Sequence, residues 1–205
     1  MRPVIPYVSQ QSADEASDWI SRLSRSMPDE KIIDFKELSA EQARQAEQQA
    51  RSEAARADAI RACGARDYEA CFELGDMYRR GIGGLQDYEK AADSYRKACD
   101  GRHAEACSGL AYLTVQGRGM EADLVQARQL YDKACDYGDV SGCAAYGNMV
   151  YTGQGGPKNV SEGTRLLQQA CDRDYEWACE RLTRLGAYQS DNDVWDRLND
   201  AKSRY

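Results

Sequence analysis

The sequence has little proline, histidine and phenylalanine, and it lacks a long hydrophobic run. Its 205 residues include four prolines, one histidine and two phenylalanines. Proline breaks the interior of helices, so its scarcity is compatible with an all-helical chain. A membrane-spanning helix needs about eighteen or more consecutive apolar residues, and no stretch approaches that length. We therefore expect a soluble helical protein that does not span a membrane.

Positive charge is also in deficit. The chain has 27 lysines and arginines against 34 aspartates and glutamates, which gives a formal net charge of −7. Proteins that bind nucleic acid or an anionic membrane surface need a basic surface to contact phosphate groups. The charge balance therefore argues against both kinds of partner.

The first residues carry no recognisable targeting signal. The only apolar run there is Val4 to Val8, and Pro6 interrupts it. A secretory signal needs a longer apolar core, and a transit peptide is rich in arginine and poor in acidic residues. We expect residues 1–11, which show no pattern, to form an extended arm.

Cysteine is abundant and periodic. The eight cysteines form four C-x7-C pairs that recur every 36 residues, without an insertion: Cys63, Cys71, Cys99, Cys107, Cys135, Cys143, Cys171 and Cys179. Two sets of glycines keep the same period: Gly81, Gly117 and Gly153, and Gly83, Gly119 and Gly155. Self-similarity at a fixed period of this size is typical of solenoid proteins.

Each period predicts a helix, a glycine-rich turn and a second helix. In the first copy, apolar residues at helical spacing run from Ala70 to Tyr78. The segment 79–84 is rich in glycine, which tolerates the left-handed geometry at a helix end, and Asp87 is a suitable N-cap for the next helix. Helix pairs of this length cannot bury their apolar faces alone, so they stack on one another.

The pattern A-x3-L-G-x2-Y, then G-x-G, then D-x3-A-x3-Y-x-K-A-C-D resembles the Sel-like repeat (SLR) family, which is related to the tetratricopeptide repeat. The resemblance covers residues 63–186 and implies an all-α fold, a right-handed α/α solenoid. The C-x7-C pairs resemble the cysteine-rich branch of that family. This branch includes secreted bacterial proteins and a cytochrome oxidase assembly factor of the mitochondrial intermembrane space.

Four regions follow from this interpretation. We expect an arm and an amphipathic helix in residues 1–38, an N-terminal capping helix in 39–62, the repeats in 63–186 and a C-terminal capping helix in 187–205. Ser39 and Gln42 form a candidate capping box at the start of the second region. A stripe of small residues should pack this helix against its neighbour: Ala43, Ala46, Ala50, Ala54, Ala57 and Ile60.

The cysteine pairs admit three interpretations: free buried thiols, zinc ligands and disulfides. Free buried thiols would not need to recur in pairs at a fixed period. Zinc sites prefer shorter spacings between cysteines and often include histidine, of which the chain has only His103. Disulfides fit best, because a tight turn between repeats brings the two cysteines of a pair close together. The expected pairing is sequential, as in Cys63–Cys71, although other pairings stay open. Such bridges would place the protein in an oxidising compartment.

Two short motifs match those of penicillin-interacting enzymes. Ser94 and Lys97 form S-x-x-K, and residues 190–192 form S-D-N. The chain has no K-T-G, Lys133 repeats Lys97 one period later, and the two motifs fall in different repeats. We therefore expect no catalysis, with Ser94 on a helix surface and His103 solvated in a turn between repeats.

The resemblance also implies a binding face on the first helix of each repeat. Carried over from the tetratricopeptide pattern, the positions of this face are Phe72, Asp76, Arg79, Tyr112, Val115, Asn148, Tyr151 and Arg184. Aromatic, arginine and amide side chains suit a protein partner. The predicted function is a protein-interaction scaffold without cofactor or metal, whose partners are subunits of a larger complex.

Two compartments are compatible with an oxidised scaffold. The first hypothesis is the mitochondrial intermembrane space, because import there needs no cleaved signal. The protein would then be an accessory subunit or assembly factor of a respiratory membrane complex. The alternative is a bacterial periplasmic or secreted protein, whose signal has been removed, and which acts in host interaction or as an immunity protein. A β-lactam-binding or hydrolysing enzyme is the remote alternative.

Overall fold

The computed structural model describes residues 29–186, with side chains from residue 40. Within these residues the regular secondary structure is entirely helical, in the order α1 (Asp29–Gly64), α2 (Tyr68–Arg80), α3 (Tyr88–Asp100), α4 (Ala104–Gln116), α5 (Leu124–Asp136), α6 (Val140–Thr152), α7 (Val160–Cys171) and α8 (Glu176–Arg184). The predicted arm, the helix after it and the C-terminal capping helix lie outside the described residues.

Contacts group the chain into two compact units, residues 1–51 and 52–205. The described part of the first unit is helical from residue 29 to residue 51. The second unit contains the end of α1 and all later helices. No helix of the described residues is both long and apolar enough to cross a membrane.

The helix pairs of the second unit confirm the predicted repeat. The first helix of each pair ends at a left-handed glycine, with φ of 71° at Gly81, 62° at Gly117 and 81° at Gly153. The second helix begins at a side-chain cap, such as Asp87, whose carboxylate accepts from the backbone N–H of Lys90. Glycine is favoured where φ is positive, and aspartate is among the best caps, so the sequence fixes both helix ends locally.

A second glycine of each turn packs against the preceding repeat. A Cβ atom on Gly155 would lie 2.0 Å from the backbone oxygen of Leu124, and one on Gly119 would lie 2.4 Å from the backbone of Tyr88. The same turn in the first pair, at Gly83, approaches the backbone of Ser52. Ser52, Tyr88 and Leu124 are 36 residues apart, so the end of α1 occupies the place of a second helix in a preceding repeat.

An arginine completes two of these turns. The Arg56 guanidinium donates to the backbone oxygen of Leu85 at 3.0 Å and lies 4.1 Å from the ring centre of Tyr78. Arg128, two periods later, donates to the backbone oxygen of Pro157 at 3.1 Å. Charge-assisted bonds to carbonyl oxygens satisfy groups that a turn leaves without partners. The repeat pattern of glycines and cysteines did not predict a role for these arginines.

The structure corrects two predictions for α1. The helix begins at Asp29, so Ser39 lies inside it and does not cap it. Residues 29–38 contain no glycine or proline and several good helix formers, which explains why the helix extends through them. The predicted packing stripe is also wrong, because Ala54, Ala57 and Ile60 are exposed.

The buried side of α1 is set by longer-range contacts. Arg56, Ala59 and Cys63 are 8%, 8% and 5% exposed, at the helical spacing of three and four residues. Arg56 reaches the turn at Leu85, and Cys63 is bonded to Cys71 on α2. These two anchors fix the rotation of the helix, and the alanine pattern does not.

Four disulfides connect consecutive helix pairs. They join Cys63 to Cys71, Cys99 to Cys107, Cys135 to Cys143, and Cys171 to Cys179. Each links the end of one pair's second helix to the first turn of the next pair, with Cα atoms 4.3–4.8 Å apart. The described residues contain no free cysteine. The staples therefore lie at successive junctions of the solenoid.

Small residues let the helices approach closely in the core. Alanines such as Ala91, Ala98 and Ala106 are fully buried. The ring of Tyr95 lies against Gly75 and Gly109, where a Cβ atom would come within 2.5 Å and 3.1 Å of ring carbons. A large side chain of the second helix is thereby accommodated between the first helices of two consecutive pairs, α2 and α4.

Candidate functional site

A groove of about 330 Å³ runs across the first helices α2, α4 and α6 of the second unit. Its aromatic lining comes from five side chains: Phe72, Tyr95, Tyr112, Tyr131 and Tyr175. Its charged lining comes from four: Asp76, Arg79, Glu105 and Asp139. The groove therefore draws residues from three consecutive repeats and from the cap of α8, which makes it a property of the stacked array.

One end of the groove is a closed hydrogen-bond network. The Arg79 guanidinium donates to the Asp76 carboxylate at 2.9 Å, and its Nε donates to the hydroxyl oxygen of Tyr95 at 3.0 Å. The Tyr95 hydroxyl in turn donates to Asp76. Burial, and then the hydrogen bond to Asp76, raise the pKa of the Tyr95 phenol. Arg79 is therefore largely committed to its own neighbours.

The other end is a recess around Tyr131. Burial is the main factor that raises the pKa of this phenol to about 12, followed by its neighbours Tyr112, Tyr175 and Asp139. Asp139 caps α6 by accepting from the backbone N–H groups of Ser141 and Gly142. The Ser108 hydroxyl donates to the same carboxylate. We call Tyr112, Tyr131, Tyr175 and Asp139 the tyrosine recess.

His103 connects the first two repeats at the edge of the groove. The structure corrects its predicted position in solvent, because its side chain is only 13% exposed. Its ring stacks on Phe72, with centres 4.5 Å apart, and its Nδ1 accepts from the N–H of Ala106 at the start of α4. Its Nε2 lies 3.0 Å from a carboxylate oxygen of Glu69. A histidine that caps a helix and bridges repeats is a structural element of the fold.

Four of the eight predicted partner-binding residues line the groove: Phe72, Asp76, Arg79 and Tyr112. The other four lie elsewhere. Asn148 accepts a hydrogen bond from Arg181 at 2.8 Å, and Arg184 pairs with Glu180 on the exposed side of α8. Tyr151 packs against Gly163 on α7, beside Lys158, and Val115 is partly buried outside the groove. Binding by any of the eight stays a prediction.

The groove residues that the sequence pattern did not predict come from other positions. Tyr95 and Tyr131 lie on second helices, one period apart, and that alignment was the available signal. Asp139 and Tyr175 lie in the turns between repeats, also one period apart. The period also shows that the equivalent of Tyr112 is Asn148, whereas Tyr151 is the equivalent of Val115 and Arg79.

The S-x-x-K motif has no exposed nucleophile. Ser94 is 5% exposed, so its predicted location on the helix surface is wrong. Its hydroxyl donates to the backbone oxygen of Lys90 in the preceding turn at 2.8 Å, whereas Lys97 is exposed to solvent. Residues 190–192 lie outside the described residues. Within residues 40–186 no group of histidine, cysteine or carboxylate side chains is arranged to hold a metal ion.

Comparisons with solved structures show relatives of this helix array. A Sel1 repeat protein from Oxalobacter formigenes is 26% identical and superposes with a TM-score of 0.63, covering 73% of this chain and 64% of that one. A protective antigen present in uropathogenic Escherichia coli strains, which displays an SLR fold, is 25% identical with a TM-score of 0.59, covering 60% and 27%. The match thus spans less than two thirds of either relative.

A third structure, Helicobacter pylori cysteine rich protein B, is 28% identical with a TM-score of 0.49, covering 62% of this chain and 96% of that one. No curated protein matches the chain. The sequence pattern of the Sel1 repeat matches residues 69–103, 104–139 and 140–175, which is more than half of the 205 residues. With its stacked helix pairs and sequential staples, the chain belongs to the Sel1 repeat family.

Proposed function

We propose that this protein is a non-catalytic scaffold that binds a segment of a protein partner in its groove. Sel1 repeat proteins are generally protein-interaction scaffolds. The observation that carries the proposal is the groove itself, where five aromatic side chains from three repeats face one open channel. A channel of this size accommodates several side chains of a bound segment.

The chemistry of the groove suits a polypeptide. Tyrosine supplies a large apolar surface and a hydroxyl group, and it is one of the commonest anchors in protein interfaces. Tyr112 is 44% exposed although it is a large aromatic side chain on a helix with a buried face. Glu105 and Ser141 add polar groups along the edges. This combination of apolar centre and polar rim is typical of a protein-binding surface.

We further propose that the protein works in the bacterial periplasm or outside the cell. Four disulfides require an oxidising compartment, which both earlier hypotheses provide. The relatives from Oxalobacter formigenes and Escherichia coli support the bacterial alternative, and nothing in the comparisons supports a respiratory assembly factor of mitochondria. Between the two bacterial roles, a protective antigen among the relatives favours host interaction over immunity function.

The test is truncation of one groove residue with a matched control. Tyr112→Ala should weaken binding of a partner purified from native cells by at least about tenfold, or about 1.4 kcal/mol, because exposed tyrosines in a groove act as anchors. Tyr137→Ala removes an exposed tyrosine that lies outside both the groove and the predicted binding face, and it should leave the affinity within about twofold. Calorimetric titration measures both, and circular dichroism verifies the fold.

If wild type and Tyr112→Ala bind the partner with equal affinity, the groove is not the binding site. Loss of binding in a third variant, Tyr151→Ala, with full binding by Tyr112→Ala would move the interface out of the groove to the side of α6 next to α7. Either result would leave the fold and the family unaffected.

A further inference from the structure

The tyrosine recess has an excess of negative charge. Among the groove residues in the described part of the chain, Arg79 is the only cation, and it is paired with Asp76. Glu105 and Asp139 are the two remaining carboxylates. Asp139 accepts only from hydroxyl and backbone N–H groups among the described residues. No cationic side chain therefore neutralises it.

The N-terminus of α6 offsets part of this charge. A helix N-terminus carries about half of a positive elementary charge, and Asp139 caps α6. Glu105 lies in the first turn of α4, where the same effect applies. α8, whose N-cap Tyr175 lines the same groove, adds a third helix end, so two carboxylates against three helix ends leave roughly half of a negative elementary charge. Because the groove has a net negative field, a cation is attracted to it and an anion is repelled.

Aromatic side chains line the same place. Tyr112, Tyr131 and Tyr175 line the groove together with Asp139, and the ring of Tyr175 is also 6.3 Å from that of Trp177. The face of an aromatic ring attracts a cation within about 6 Å, and the attraction grows when the site is shielded from water. Rings next to an unneutralised carboxylate are the arrangement that recognises an ammonium or guanidinium group.

Tyr175 adds an independent observation. It is the N-cap residue of α8, one period after Asp139, two after His103 and three after Asp67. The three earlier residues accept a backbone hydrogen bond, whereas Tyr175 makes no side-chain cap. A missing cap costs about 1 kcal/mol. Tyr175 therefore stands where the earlier copies have a side chain that caps the helix, and its ring lines the recess instead.

We propose that the tyrosine recess binds a lysine or arginine side chain of the partner segment. This inference rests on the proposed function, since it names the chemistry of the segment that the groove holds. The cation lies against the rings of Tyr112 and Tyr175, and its charge faces Asp139. Glu105, at the exposed edge of the groove, also attracts the cation. Salt screens this attraction more strongly than that of the less exposed Asp139. The net charge of −7 favours the approach of a basic partner.

The probe is a displayed library of random peptides of about twelve residues, long enough to cross the groove in extended form. Peptides are selected on the oxidised wild-type protein, and those that also bind Tyr112→Ala are removed. The retained peptides depend on the groove. We expect them to share one lysine or arginine position. Replacing that residue by neutral citrulline or acetyl-lysine should lower the affinity at least about tenfold.

A double-mutant cycle assigns the charge to Asp139. Asp139→Asn keeps a capping side chain, because asparagine caps helices as well as aspartate does. It should weaken the basic peptide at least about fivefold and leave the citrulline peptide unchanged, since only the first carries the charge. Glu89→Gln changes the net charge equally at an exposed site outside the groove and should change neither. If Asp139→Asn does not fold, the exposed Glu105→Gln replaces it, with a smaller loss.

The outcomes separate this inference from the proposed function. If the groove-dependent peptides share no basic residue, the cation site is overturned. The same follows if the arginine and citrulline forms of a peptide bind with equal affinity. In both cases the proposed scaffold function still stands. A failure to select any groove-dependent peptide overturns both. Both the cation site and the scaffold function are supported if the selected peptides share a basic residue and the double-mutant cycle shows that this residue interacts favourably with Asp139.

Discussion

Reduction of the four disulfides is expected to unfold most of the solenoid under physiological conditions. Each bridge, such as Cys99–Cys107, closes a loop with a sequence separation of 8. Because it restricts the conformations of the unfolded chain, it raises the free energy of unfolding by about 2–3 kcal/mol. Four bridges together contribute about 10 kcal/mol, which is comparable with the whole stability of a domain, about 5–15 kcal/mol. Alanine is the commonest buried residue of the main core cluster and has a small side chain, so core packing compensates only in part.

The measurement is helicity at 222 nm against temperature, with and without dithiothreitol, in parallel with thiol alkylation to count the reduced cysteines. We expect a large fall in melting temperature once all eight cysteines are alkylated. The double variant Cys99→Ala, Cys107→Ala isolates one staple and should cost about 2–3 kcal/mol. An unchanged melting temperature of the fully reduced protein would show that helix packing alone holds the array.

Substitution of Gly155 by alanine is expected to cost about 2–5 kcal/mol of stability. The residue has φ of +68°, which costs an alanine about 1–2 kcal/mol. The added Cβ would lie 2.0 Å from the backbone oxygen of Leu124, so the turn or α5 must shift, at a further cost of about 1–3 kcal/mol. The contact is made between consecutive repeats, so the shift weakens their stacking.

Gly138→Ala separates the two contributions. Gly138 also has a positive φ, of +101°, but nothing lies within 4 Å of a Cβ atom there. Chemical denaturation of both variants should therefore show the smaller loss for Gly138→Ala, about 1–2 kcal/mol. Similar losses at the two positions would mean that the turn moves freely and that the close approach to Leu124 contributes nothing.

The repeat itself could be predicted from the sequence because its signals are local. Helix ends depend on left-handed glycines such as Gly117 and on caps such as Asp123, both of which recur every 36 residues. The rotation of α1 could not be predicted in this way. It depends on Arg56 meeting a turn 29 residues later and on the bridge from Cys63, which are tertiary contacts.

The groove could be predicted only in part. Face positions taken from the tetratricopeptide pattern account for Phe72 and Tyr112 but assume that first helices alone line the surface. Here Tyr95 reaches the groove from a second helix, because Gly75 and Gly109 leave room for its ring between α2 and α4. Gly75 belongs to the repeat pattern, but Gly109 aligns with Glu73 and Ala145 in the neighbouring copies, so the pattern does not predict the second half of that opening.

The most direct test of the scaffold is site-specific crosslinking in native cells. A photoreactive amino acid is placed at position 112 in the groove, and in a second variant at position 129, an exposed site on α5 outside the groove. If the groove holds the partner, position 112 captures one defined protein, and peptide mapping localises the bond to a single segment of it. Free peptide selected for the groove should abolish that crosslink, and position 129 should give none. A partner captured equally from both positions, or only from position 129, would contradict the account.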